Sequence, residues 1–143
     1  MSLSRHTVAN VSQEKVSQAK KSIAILIVED QDQMRRMLRE YLQSEYADAV
    51  MLEAADGARG LELCRSERPQ LVLMDVGLPD ANGIDLTAQV RQILPQTVVI
   101  VISQHSAAAF VERARAAGAF AYITKGEVYR QLLPTISRAL GQS

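Results

Sequence analysis

In Leu71-Val72-Leu73-Met74-Asp75-Val76-Gly77-Leu78-Pro79, four apolar residues run into a carboxylate and then into a Gly/Pro turn. A continuous apolar run of this length, bounded by turn residues, reads as a strand buried on both faces, as at the centre of a parallel sheet. Asp75 then stands at the strand's exit. In open α/β sheets, ligands collect outside the carboxyl ends of the strands where the strand order reverses, so a carboxylate there is placed for chemistry. An Asp that merely begins a loop or caps a turn would give the same local pattern. The ends of the other strands decide between the two.

Working outward, Ile23 to Val28 form a second apolar, β-branched run that stops at Glu29-Asp30. Met34, Met37, Leu38, Tyr41 and Leu42 follow at the spacing of an amphipathic helix packed on a sheet. Val50 to Ala54 read as a short strand, and Asp56-Gly57 as a turn. The next helix carries Leu61 and Cys64 inward and ends before Pro69, because the residue preceding a proline is pushed out of helical geometry. Beyond the Asp75 strand, a helix over Gly83 to Leu94 presents Leu86, Val90, Ile93 and Leu94, and Pro95 ends it. Thr97 to Ile102 read as a fourth buried strand with Ser103 at its exit. A fourth helix shows Ala107, Phe110, Val111 and Ala114 on one face and closes at Gly118. Ala119 to Ile123 form a short fifth strand delivering Thr124-Lys125, and a last helix turns Tyr129, Leu132, Leu133, Ile136 and Leu140 inward.

Five strands alternating with five helices, without internal repeats, predict a doubly wound parallel sheet of flavodoxin-like (βα)5 type with strand order 2-1-3-4-5. In that order Glu29, Asp30 and Asp75 converge, and Ser103 and Lys125 arrive from the next two strand ends. Three carboxylates packed together repel one another unless a cation sits among them. A hard divalent ion such as Mg²⁺, which takes oxygen ligands and is commonly shared with a phosphate, suits the set. The cluster therefore looks built for a phosphoryl group. Taken singly, a Lys just past a strand is most often a solvated surface residue and a Ser there a turn former; only convergence argues otherwise.

Composition bounds the alternatives. The 143 residues are 48% apolar, enough for one compact domain with a full core. Sixteen Lys and Arg balance sixteen Asp and Glu, so nothing suggests broad electrostatic binding to nucleic acid or to an anionic membrane. The single cysteine, Cys64, excludes an internal disulfide and a cysteine-rich zinc site; it suits a reducing cytoplasm and reads as a small core side chain. No apolar run approaches the roughly 18 residues of a membrane span, and the amino terminus lacks the hydrophobic segment of a secretory signal. Residues 1–22 are polar and read as a disordered tail, with no weight given to His6 within it. The expectation is a cytoplasmic protein with its folded domain over residues 23–140 and a short end at 141–143.

From Ile23 to Leu140 the chain resembles the receiver domains of two-component response regulators. That family pairs two acidic residues after strand one with an Asp after strand three that is followed by x-x-x-Pro and then a Gly. It adds a Ser/Thr after strand four and a Lys after strand five. Here these are Glu29-Asp30, Asp75 through Pro79 with Asn82-Gly83, Ser103 and Lys125. Each element is weak alone, but five in order at the proper strand ends are specific. The resemblance implies that a histidine kinase or phosphotransfer protein phosphorylates Asp75. It implies that Asp30, Asp75 and the Gly77 carbonyl hold Mg²⁺, with Glu29 acting through a metal-bound water, and that Ser103 and Lys125 contact the phosphoryl oxygens. It also implies a switch in which Tyr122 turns inward when Ser103 moves, though an aromatic at that place is also ordinary core. A receiver homodimer is a further partner it suggests.

Two departures from the pattern stand out. Gly126 follows Lys125 where many receivers carry a cis-linked Pro, and Gln104 stands where a small Ala or Gly is common. Ser103-Gln104-His105 with Thr124-Lys125-Gly126 looks more like receivers whose outputs are helix-turn-helix DNA binders. No output domain follows Leu140, so the expectation is either a stand-alone regulator or a receiver cut from a longer protein. The main rival is a Mg²⁺-dependent aspartyl-phosphate hydrolase, but such families usually carry a second Asp two residues past the nucleophile, where this chain has Gly77. A flavin-binding module is a weaker rival, because no Gly- and Ser/Thr-rich loop follows strand one and Glu29-Asp30 would repel a phosphate there.

Overall fold

The computed structural model describes residues 23–141; the expectations for the 1–22 tail and for residues 142–143 lie outside the described residues. A single five-stranded parallel sheet has the order 2-1-3-4-5. Its strands are β1 (Ala24–Val28), β2 (Val50–Ala54), β3 (Leu71–Asp75), β4 (Val98–Ser103) and β5 (Ala121–Thr124). The helices are α1 (Asp32–Glu45), α2 (Gly57–Glu67), α3 (Gly83–Ile93), α4 (Ala108–Ala116) and α5 (Val128–Ala139). Strands β1, β3 and β4 lie inside the sheet with both faces covered, which is why their sequences are continuously apolar rather than alternating.

The pleat sends alternate residues of these strands to opposite layers. Ile25, Ile27, Leu71, Leu73, Ile100 and Ile102 pack against Leu38 and Leu42 of α1 and Val128, Leu132 and Ile136 of α5. On the other face Leu26, Val28, Val72, Met74 and Val99 meet Leu63 and Cys64 of α2 and Leu86 and Val90 of α3. Val101 and Ala114 of α4 belong to a smaller cluster with Val76 and Ile84 beside it. Right-handed crossovers account for this division of helices between the two faces. Burying one such Leu or Ile is worth about 2 kcal/mol, so the two layers hold the strand ends in fixed register.

Several expected details shift. Tyr129 is 64% exposed instead of facing the core. The buried face of α5 is centred on Val128, Leu132 and Ile136, four residues apart, which leaves Tyr129 at its margin. The Tyr129 ring instead meets Tyr41 edge to face at 4.8 Å, linking α5 to α1. In α2, Leu63 is buried with Cys64 in the core, and Leu61 packs against them partly buried. Ala107 is an exposed N-cap rather than part of the apolar stripe of α4. Gly118 does close α4: it takes φ +102° and lets the Ala119 amide return to the Ala114 carbonyl.

Candidate functional site

The register of the sheet brings the predicted residues together. Val28 is paired with Met74, so Glu29 and Asp75, each one residue further on, leave neighbouring strands side by side. Asp75 is paired with Ile102 and Ser103 with Thr124, which places Ser103 and then Lys125 at successive steps along the same edge. Oxygen atoms of Glu29, Asp30 and Asp75 all lie within 4.8 Å of one another. Asp30 and Asp75 border a cleft of about 120 Å³ that Gly77, Ser103, Gln104, His105 and Lys125 also line.

Within the cleft the carboxylates differ in setting. Asp75 and Glu29 are buried, Glu29 to 1% exposure, whereas Asp30 stands exposed at the mouth. The Lys125 ammonium lies 3.1 Å from Glu29 Oε1 and 3.6 Å from Asp75 Oδ2, so one cation bridges the two buried acids. The Gln31 amide donates to the other Glu29 oxygen at 3.0 Å. Arg35 of α1 donates to the Glu29 carbonyl at 2.8 Å and pairs with Asp32 and Glu53, tying the exit of β1 to the β2 edge. Sequence reasoning missed Arg35, because a polar residue on an amphipathic helix carries no local signal of what it reaches. Ser103 is buried, and its Oγ accepts a hydrogen bond from the His105 amide at 3.0 Å. The Tyr122 hydroxyl donates to the carbonyl of the same His105 at 2.7 Å, while the His105 ring stacks on Phe110. Tyr122 is half-buried at this point, and the Lys125–Gly126 peptide is trans.

The donor set fits a hard divalent cation: it is all oxygen, partly desolvated, and carries more carboxylates than Lys125 neutralises. Burial, and to a lesser degree the charge of Asp75, pushes the Glu29 carboxyl up from 4.5 to about 7. Its consequence for stability has a definite sign. Between these two values the folded protein keeps a proton that the unfolded chain has released, so this contribution is fully present below pH 4.5 and is lost as pH rises through about 7. At about 1.4 kcal/mol per pH unit of one-proton difference, metal-free protein should lose about 2 to 3 kcal/mol through Glu29 between roughly pH 5 and pH 8. Urea titrations should show Glu29→Gln without that loss, and Mg²⁺ should restore much of it in the parent at the upper pH. An equal slope in parent and variant would contradict this account.

Residues 25–137 match the response regulator receiver domain family. The chain is 38% identical over 120 residues to the transcriptional regulatory protein PdtaR of Mycobacterium tuberculosis, covering 82% of this chain and 57% of that protein. It is 31% identical to the chemotaxis protein CheY of Halobacterium salinarum, covering 81% of this chain and 95% of that one. The crystal structure of a LuxR-family two-component response regulator from Aurantimonas sp. SI85-9A1 superimposes with a TM-score of 0.77 at 30% identity, over 85% of this chain and 87% of that one. The chain thus spans little more than half of the PdtaR regulator and nearly all of CheY. Among the described residues no helix is long and apolar enough to cross a membrane. With the sheet order, the acidic cluster and these matches in agreement, the chain belongs to the receiver-domain family of two-component response regulators.

Proposed function

We propose that Asp75 is the phosphoacceptor, taking a phosphoryl group from the phosphohistidine of a histidine kinase or phosphotransfer protein. The observation that carries this reading is the Lys125 ammonium shared between Glu29 and Asp75 in a three-carboxylate cleft. A carboxylate oxygen of Asp75 attacks phosphorus as the phosphorus–nitrogen bond to the donor breaks, and the imidazole leaves with a proton. Charge spreads over the equatorial oxygens, so positioning and neutralisation matter more than acid-base work. Lys125 neutralises one oxygen, and the Ser103 hydroxyl donates to another. Asp30, Asp75 and the Gly77 carbonyl would hold Mg²⁺, which supplies the remaining positive charge. Glu29, with both oxygens engaged by Lys125 and Gln31, orients the site one water removed. The test is labelling: a small phosphoramidate with Mg²⁺ should add one phosphoryl group per chain, and none without the metal.

Phosphorylation is read out through the loop after β4. His105 is held twice, its amide by Ser103 and its carbonyl by Tyr122. Drawing Ser103 toward a phosphoryl oxygen breaks the first bond and frees the second, a population shift between two packed arrangements. Adding beryllofluoride should therefore move NMR signals of Tyr122 and of the face formed by α4, β5 and α5. Shifts confined to the acidic cleft would contradict the coupling. A partner, a DNA-binding output in the same polypeptide or a second receiver would read that face.

The lifetime of the phosphoryl group follows from what borders the acceptor. Hydrolysis needs a water in line with the acyl-phosphate bond. Gly77 offers no side chain to hold one, and Gln104 lines the approach. The domain assists its own dephosphorylation only weakly, and Gln104→Ala should shorten the phosphoryl lifetime by opening the path. Dephosphorylation of both proteins with Mg²⁺ present measures this, and an equal or longer lifetime in the variant would remove Gln104 from the argument.

A further inference from the structure

The loop between β3 and α3 brings Gly77 to the cleft, yet its anchor lies on a different helix. The two legs of the loop meet in an antiparallel bridge between Gly77 and Asn82. At its apex Asp80 turns away from the cleft toward α2. One carboxylate oxygen accepts from the Gly57 amide at 2.7 Å and the other from the Ala58 amide at 2.9 Å. These are two donors that a helix start leaves without partners, and the helix dipole there favours a negative charge. Asp56 supplies the helix's own cap by accepting from the Arg59 amide at 2.8 Å, so Asp80 is an additional carboxylate from another segment. The two amides hold the Asp80 carboxyl below its ordinary value. Contact is close: a β-carbon on Gly57 would lie 2.7 Å from Leu86 Cδ1, 3.0 Å from Ala81 Cβ and 3.1 Å from Asp80 Oδ1.

We propose that Asp80 is a positioning residue for the metal site, docking the β3–α3 loop on the start of α2 so that the Gly77 carbonyl faces Asp30 and Asp75. This rests on the reading above that Gly77 is a metal ligand. Asp80 is itself exposed, so removing it leaves no buried hole. What it changes is the freedom of the loop. The side of Gly77 where a β-carbon would stand is open, with no neighbour within 4 Å. Without Asp80 the loop keeps its bridge and the hydrogen bond from the Gly83 amide to the Val76 carbonyl, but its apex is released.

Calorimetric Mg²⁺ titration of the parent, Asp80→Ala, Asp80→Asn and Asp56→Ala tests this, together with amide exchange at Leu78 in metal-free protein. Asp80→Ala should bind Mg²⁺ about tenfold more weakly, the low end of what losing a group that orients a metal ligand costs, and its Leu78 amide should exchange faster. Asp80→Asn keeps an acceptor for one of the two amides and should recover part of the affinity. Asp56→Ala removes a cap from the same helix start without touching the loop, so it should lower stability and leave affinity unchanged. Parental affinity in Asp80→Ala, or an equal loss in Asp56→Ala, would overturn the positioning role. A parent that binds no Mg²⁺ would overturn the metal-site reading itself, a separate failure.

Discussion

Asp75→Asn should take up no phosphoryl group from a phosphoramidate under conditions that label the parent to one group per chain. The amide differs from the carboxylate by one atom and keeps the shape of the β3 exit, so the variant removes nucleophilicity while leaving the packing around Met74 and Val76 intact. Folding provides an internal control. Asp75 raises the cost of ionising buried Glu29, and replacing it with a neutral side chain relieves part of that repulsion. Metal-free Asp75→Asn should therefore be at least as stable as the parent near neutral pH, even though its Lys125 contact is weakened. Loss of labelling with retained stability identifies the acceptor. Labelling that persists, or a variant that loses label only because it unfolds, would sink the assignment.

Most of this site was legible in the sequence because its residues sit where apolar runs stop. A parallel sheet buried on both faces writes its strands as unbroken hydrophobic stretches, so Glu29, Asp75 and Lys125 mark strand exits without any tertiary information. Strand order then follows from crossover handedness, and convergence follows from strand order. What stayed hidden depends on contacts between segments far apart in the chain. Arg35 reads as one more polar residue on α1 until the Glu29 carbonyl is seen beneath it. Asp80 reads as a turn residue, and nothing near it in sequence points to Gly57 and Ala58 more than twenty residues earlier. Tyr129 differs for another reason: it lies at the margin of the α5 stripe, beside buried Val128, and periodicity alone does not say which residue at a stripe's edge is covered.

Gly83 is the position where the smallest change should have the largest structural effect. It was visible in the sequence as part of a family pattern, but the pattern gives no reason for it. The structure does: α3 begins against the exit of β3, and a β-carbon on Gly83 would lie 1.9 Å from the Asp75 carbonyl oxygen and 2.7 Å from its carbon. These are backbone atoms of the central strand, not the yielding end of a side chain. The Gly83 amide donates to the Val76 carbonyl at 2.9 Å, and its carbonyl accepts from the Thr87 hydroxyl at 2.8 Å, so the residue is fixed from both sides. Helix propensity favours Ala over Gly by about 1 kcal/mol, but forced overpacking of a rigid site costs about 1 to 3 kcal/mol and more where the backbone must move. The clash wins. Gly83→Ala should lose about 3 kcal/mol or more, a fall in Tm of roughly 10 °C for a domain of this size. Because relief requires pushing the β3 exit away from α3, Mg²⁺ affinity and labelling of Asp75 should fall with it. A variant that melts within a few degrees of the parent and labels normally would mean that the approach of α3 to Asp75 is looser than this geometry requires.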